Sequence, residues 1–179
     1  LHLLSRRQRQ MCIRDRFIHV LNECGLGETL FNGLNIDESV LSKIHSAHDL
    51  RFKECQKIAI LTTNASSIEA IEFFFKKIKP SAEIMDLCRQ WYLHQNAFQT
   101  HPELMLNLFE KADAFRRPQR FSLLLQVAQL SLGLEPCIWE KALEAATKVN
   151  CANIAKNCTN RQQIPFVIHN ERLKAIQES

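Results

Sequence analysis

Apolar residues recur along this chain at three- and four-residue intervals from Phe17 almost to the end, the spacing that lines one face of an α-helix. Phe17, Val20, Leu21 and Cys24 open the pattern, and Gly25 suits the left-handed position just past such a helix. Asp37 or Asn35 can cap a helix carrying Val40, Leu41 and Ile44, and a further apolar stretch over 52–63 brings Ile58, Ile60 and Leu61. Ser66-x-x-Glu69 reads as a capping box opening a helix over 68–79, which Pro80 terminates. Ser81 can cap the next helix, whose Ile84, Leu87, Cys88, Trp91 and Tyr92 form a wide apolar face. Thr100-x-x-Glu103, with Pro102 inside it, marks another start. A leucine-rich helix runs from Pro118 to Leu132 and stops at Gly133. Pro136 opens one over 137–149, and a short segment at 152–158 precedes a last helix with Pro165 near its first turn. No strand-like alternation or Asn-Gly hairpin signal competes. The expectation is an all-α fold, an irregular multi-helix body of about eight or nine helices with no sheet.

The most distinctive stretch is Ala112-Asp-Ala-Phe-Arg-Arg-Pro-Gln-Arg-Phe121, a basic junction between two apolar helical segments. Proline suits a first helical position and biases the residue before it toward an extended backbone, so one helix ends near Asp113 and another starts at Pro118. Arg116, Arg117 and Arg120 can hold phosphates by bidentate hydrogen bonds. They can equally pair with Asp113, Glu110 or neighbouring helix ends.

Composition narrows the functional classes. With 46% hydrophobic and 23% charged residues the chain is an ordinary globular sequence, and its four glycines and five prolines favour helices over a turn-rich β fold. The formal charge of +4 invites a nucleic-acid reading. Residues 1–16, however, hold five arginines against one acid, and from totals of 23 and 19 the rest of the chain keeps 18 basic and 18 acidic residues. Any positive surface beyond residue 16 therefore comes from local clustering. Seven cysteines lie scattered without a C-x2-C pair, which implies reduced thiols in a cytoplasmic protein rather than a zinc site or a disulfide framework. No apolar run is long enough to span a bilayer.

Three stretches resemble the C-terminal body of bacterial tRNA nucleotidyltransferases, the CCA-adding enzymes. The first is the junction with the helix before it, Pro102-Glu-Leu-Met-Leu-Asn-Leu-Phe-Glu-Lys-Ala-Asp113. The second is Phe17-Ile-His-Val-Leu-Asn-Glu-Cys-Gly-Leu26 with Leu30-Phe31, and the third is Ile164-Pro-Phe-Val-Ile-His-Asn-Glu-Arg-Leu-Lys-Ala-Ile176. In order and spacing the resemblance covers residues 17 to 179. It implies a helical body region over 17–100, with a degenerate HD-like segment, and a C-terminal helical tail region over 101–179. Residues 1–16 precede the similarity; their Gln-Met-Cys-Ile-Arg-Asp-Arg run reads as a non-native leader, the alternative being a basic arm. The resemblance further implies tRNA as partner, with no membrane or DNA role. A head carrying the Mg²⁺, ATP and CTP chemistry of CCA addition would lie outside this stretch.

Within the chain itself, chemistry is sparse. His48-Asp49 is a literal HD dipeptide, but it lacks the Gly-Lys that usually follows the family's metal-binding pair. The segment that best matches the family motif, Ile58-Ala-Ile-Leu61 and Thr62-Thr63-Asn64-Ala65, contains neither residue type. A capping aspartate beside a surface histidine is the expectation, with no metal ligands and no cofactor in this stretch. His94 and His101 flank a loop as solvent-facing residues, Lys76-Lys77-x-Lys79 favours a helix C-terminal dipole, and Trp91 and Trp139 are core. No triad, glycine-rich phosphate loop or Asp-x-Asp pair is present, so no catalytic residue is assigned. The RNA-binding candidates are Arg116, Arg117, Arg120, Arg161, Arg172 and Lys174. The competing functional class is an all-α interaction or scaffold module, or a degenerate HD-type regulatory domain, without RNA binding.

Overall fold

The computed structural model describes residues 24–158 and 160–179. They form α1 (Leu26–Phe31), α2 (Glu38–Asp49), α3 (Glu54–Leu61), α4 (Ile68–Ile78), α5 (Ala82–His94), α6 (Pro102–Lys111), α7 (Pro118–Leu132), α8 (Pro136–Thr147), α9 (Cys151–Asn157) and α10 (Ile164–Gln177), with two short 3-10 turns. Among the described residues there is no strand, only an isolated antiparallel bridge between Leu34 and Ala65, so the fold is all-α as expected. The helix expected over 17–24 lies outside the described residues, although Gly25 does take a left-handed backbone, φ 67°. None of the described helices is long and apolar enough to cross a membrane.

Two compact units divide the chain, one ending at Tyr92 and one from Leu93 to Ser179. In the first, α2 packs on α3 and α1 on α4. Asp37 is the N-cap of α2, its Oδ1 accepting from Val40 N at 2.8 Å, and its Oδ2 accepts from Asn64 Nδ2. The cap of α4 sits one residue later than its sequence suggests: Ser67 accepts from Ala70 N, while Ser66 N donates to Gly33 O at 2.8 Å. Ser66 is held there because Gly33 has φ 78°, and a Cβ on it would come within 2.8 Å of Ser66 Oγ and 2.7 Å of Ala70 Cβ. Glycine is required at that approach. The interior of this unit is Ile60, Ile71, Phe74, Leu87, Cys88 and Trp91, all almost fully buried, with Gln56 and Thr62 as buried polar residues. Trp91 Nε1 donates to Thr63 Oγ1 at 3.0 Å, which satisfies the one polar atom that burying an indole strands.

In the second unit α10 packs on α6, α8 and α9, and α8 also meets α6 and α7. Phe109 of α6 is its hub. Edge-to-face contacts join its ring to Phe121 at 5.3 Å, Trp139 at 6.1 Å and Phe115 at 6.1 Å, and Trp139 meets Phe98 at 5.2 Å. Each such pair adds about 0.5–1.5 kcal/mol beyond area burial, so the four pairs among these five rings hold α6, α7 and α8 in register. Both tryptophans are core, as expected. The cap of α6 is positional. Pro102 occupies the first turn, which leaves His101, rather than Thr100, at the N-cap with no side-chain hydrogen bond.

Candidate nucleic-acid interface

The basic junction is built on an unusual helix end. Ala114 N donates to Phe109 O at 2.8 Å and Asp113 N to Glu110 O at 3.2 Å, the paired bonds of a Schellman motif. The left-handed residue such a motif needs is Asp113, φ 55°, where glycine is the usual occupant. Ala112 and Ala114 on either side are buried, so the turn is pinned to the core while its polar residues face out. The chain then re-enters a helix at once: Arg117 N donates to Asp113 O, and Pro118 opens α7.

This turn sorts the three arginines. Arg116 is the most exposed, its side chain 80% accessible, and its Nε is 3.9 Å from Asp113 Oδ1. Arg117 is 55% accessible, with Nε 3.6 Å from Asp113 Oδ2. Both contacts with Asp113 are long and solvated, worth about 0–1 kcal/mol at most. Arg120 points inward, its Nη2 donating to Ala112 O at the end of α6. It closes an orphan carbonyl of that helix and serves its dipole.

Arg172 from α10 joins the junction from the other side. Its guanidinium carbon lies 3.8 Å from the Phe115 ring centroid, its Nη2 is 3.5 Å from Cys151 Sγ, and its Nε is buried with no hydrogen-bond partner among the described residues. The structure thus brings Arg116, Arg117, Arg120 and Arg172 to one corner, but only the first two present their charge to solvent. Arg161 lies exposed in the 3-10 turn before α10. Lys174 is exposed and bridged to Glu171 at 2.8 Å; two residues from Arg172 on a helix, it does not share that residue's face.

Two further groups belong to this corner and carry no sequence motif. His94 is half-buried at the end of α5, not a solvent-facing loop residue, and burial, then the charges of Lys111 and Arg120, lower its pKa. Its sequence signal is only that it follows an apolar helix face. His169 Nδ1 approaches Glu110 Oε1 at 3.1 Å, tying α10 to α6 beside the turn. That contact joins residues 59 apart, which no local spacing reveals.

The HD dipeptide ends α2. His48 O accepts from Arg51 N and Ala47 O from Phe52 N, a second Schellman end, with Arg51 left-handed at φ 58°. Asp49 is the last residue of that helix, so it does not cap; Asp37 at the opposite end does. His48 is only half-exposed. Among the described residues no three His, Cys, Asp or Glu side chains come together in a way that could hold a metal ion.

No family model and no solved structure matches the chain. Curated relatives do. The chain is 32% identical over 127 residues to a multifunctional CCA protein of Aromatoleum aromaticum, covering 63% of the chain and 31% of that protein. It is 25% identical over 165 residues to a CCA-adding enzyme of Bordetella pertussis, covering 90% of the chain and 44% of that enzyme. A multifunctional CCA protein of Azoarcus is 30% identical over 115 residues, covering 56% of the chain and 28% of that protein. The chain spans less than half the length of each of these relatives. Homologues named CCA-adding enzyme or multifunctional CCA protein thus cover most of this chain, consistent with a C-terminal part of a CCA-adding enzyme.

Proposed function

We propose that this chain is the tRNA-binding C-terminal portion of a cytoplasmic CCA-adding tRNA nucleotidyltransferase, itself non-catalytic. The observation that carries the reading is the extent of the similarity: nine-tenths of the chain aligns with 44% of a CCA-adding enzyme. The chemistry of these residues supports the division of labour. Nucleotidyl transfer uses paired carboxylates to hold two metals, and the sequence has no Asp-x-Asp pair. ATP, CTP and Mg²⁺ accordingly belong to a head outside these residues, while a rigid helical body grips tRNA by shape and phosphate contacts. Arg116 and Arg117, the two junction arginines that present their charge to solvent, are the groups of this corner suited to phosphate.

The test has two arms. The genomic reading frame upstream of Phe17 should encode a head with a Gly-Ser motif and an Asp-x-Asp pair. The purified chain, given tRNA lacking its 3′ end, CTP, ATP and Mg²⁺, should incorporate no CMP, whereas the chain joined to that head should. CMP incorporation by the chain alone, or an upstream frame without such a head, would overturn the proposal.

A further inference from the structure

The last turn of α4 carries a cluster of cations that the junction does not include. This helix buries Ala70, Ile71, Phe74 and Phe75, and its opposite side presents Phe73, Lys76 and Lys77, three and four residues apart and hence on one face. Ile78 and Lys79 follow, both exposed. Lys77 Nζ sits 5.2 Å from the Phe73 ring centroid. Lys76 lies close enough to Glu72 for its charge to help hold that carboxyl below its usual range, but the larger influence is Arg89, which engages both Glu72 oxygens in a two-pronged pair at 2.6 and 2.9 Å. Lys79 adopts φ 47° at the end of the helix, a backbone at which glycine or asparagine costs less than lysine. The sequence thus accepts strain there and keeps a third positive charge, more than a helix dipole equivalent to about half a charge requires.

We infer that Lys76, Lys77 and Lys79 form a phosphate-binding surface for the RNA backbone, separate from the arginine junction and resting on the proposal that this chain handles tRNA. Three lysines on one exposed turn are point charges without the planar fork that reads a base edge, so they suit sequence-independent contacts to phosphates. The Phe73 ring is covered by the Lys77 amine, which disfavours base stacking on it and leaves backbone contact as the mode. An anionic membrane surface fits less well. Interfacial helices insert a broad apolar face, whereas here that face is buried in the core, leaving Phe73 at 36% and Ile78 at 40% exposure beside the lysines.

The experiment is a salt titration of tRNA binding by the full chain, comparing parent with K76Q/K77Q/K79Q. The basic residues of 1–16 are common to both, so the difference reports on α4. Each lost phosphate contact lowers the log–log salt slope by about 0.7–0.9, so the triple variant should lose about 2 to 3 from the slope and bind on the order of tenfold or more weakly at about 0.1 M salt. K76R/K77R/K79R should keep both, and thermal melts of all three proteins should agree within about 2 °C because the side chains are exposed. An unchanged slope and affinity in the glutamine variant would overturn the surface while leaving the proposed function standing, and so would its loss of binding only to vesicles of 30:70 phosphatidylserine and phosphatidylcholine. A parent that binds no tRNA also overturns the surface. CMP incorporation once the upstream head is joined then decides the proposed function by itself.

Discussion

The Arg172 guanidinium stacks on the Phe115 ring at 3.8 Å, so an arginine whose sequence position suggests a phosphate contact is instead part of the packing between α10 and the junction. Its Nε has no partner and its Nη2 meets only a thiol, which makes the ring its main interaction. Cation–π contacts of this partly desolvated kind are worth about 0.5–2 kcal/mol, and the aliphatic stem adds packing. Arg172→Ala should therefore lower the melting temperature by roughly 2–6 °C, at about 2–4 °C per kcal/mol for a chain of this size. A double-mutant cycle with Phe115→Leu should return a coupling of about 0.5–2 kcal/mol. Arg116→Ala, by contrast, should leave the melt within about 1 °C. If tRNA is bound at this corner, the salt slope should move in Arg116→Ala and stay fixed in Arg172→Ala.

Asp113 offers a second separation of backbone from charge. A non-glycine residue in the left-handed region is strained, and an aspartate tolerates it better than an alanine because its short polar side chain bonds locally. Asp113→Ala keeps the Cβ and loses the carboxylate, so it should destabilise by about 1–2 kcal/mol. Asp113→Gly relieves the strain, gaining up to about 1 kcal/mol, and gives up only the long pairs to Arg116 and Arg117. The glycine variant should melt within about 3 °C of the parent and clearly above the alanine variant. Equal, large losses in both variants would mean that the carboxylate, rather than the turn, holds the corner.

The course of the chain was legible in the sequence wherever local chemistry sets it. Asp37, Ser81, Pro118 and Gly133 mark helix ends where the structure has them, because caps and stops act within a few residues. Where a distant residue intervenes, the local reading slips. The α4 cap moves from Ser66 to Ser67 because Gly33, 33 residues earlier in the chain, claims the Ser66 backbone. The same holds for the corner. Asp113 and its neighbouring arginines are readable as a cluster, but which arginine turns inward depends on the Ala112 carbonyl and on Phe115 meeting a helix more than fifty residues later. Periodicity does not encode that partner.

Acid sensitivity follows from His94. Its folded pKa lies below the ordinary 6.5 because burial, then Lys111 and Arg120, disfavour the imidazolium. As pH falls through 6.5 the unfolded chain takes up a proton that the folded chain refuses, so stability declines from there down to the depressed folded value. His94→Gln should flatten this part of a melting-temperature profile, most visibly between about pH 6.5 and 5. Glu72 acts in a lower window. The hydrogen bond from Arg89 holds its carboxyl below 4.5, so the stabilisation it brings is lost only as pH falls beneath that value. A profile for the glutamine variant that stays as steep as the parent's above pH 5 would remove His94 as the cause.

The cysteines should divide by environment when the folded protein is treated with iodoacetamide at about pH 8. Cys24 and Cys137 are exposed, whereas Cys55 and Cys88 are buried. Burial pushes the Cys88 thiol from 9.0 up to about 12, which leaves it roughly a thousandth of the thiolate of an unperturbed cysteine at the same pH. The Cys55 thiol is raised too, first by burial and then by Glu83, whose Oε1 lies 3.8 Å from its sulfur. Alkylation, followed by peptide mass spectrometry, should modify Cys24 and Cys137 first and reach Cys55 and Cys88 only when the first unit opens. The linkage gives an independent check on the same thiol. Because the folded pKa of Cys88 is raised, its contribution to stability is complete below pH 9 and is lost as pH rises toward 12, so Cys88→Ala should weaken the alkaline decline as well as lower the melting temperature through the cavity it leaves. Rapid native labelling of Cys88 would mean that the α3–α5 interior opens locally without global unfolding, placing this helical layer among the least stable parts of the chain.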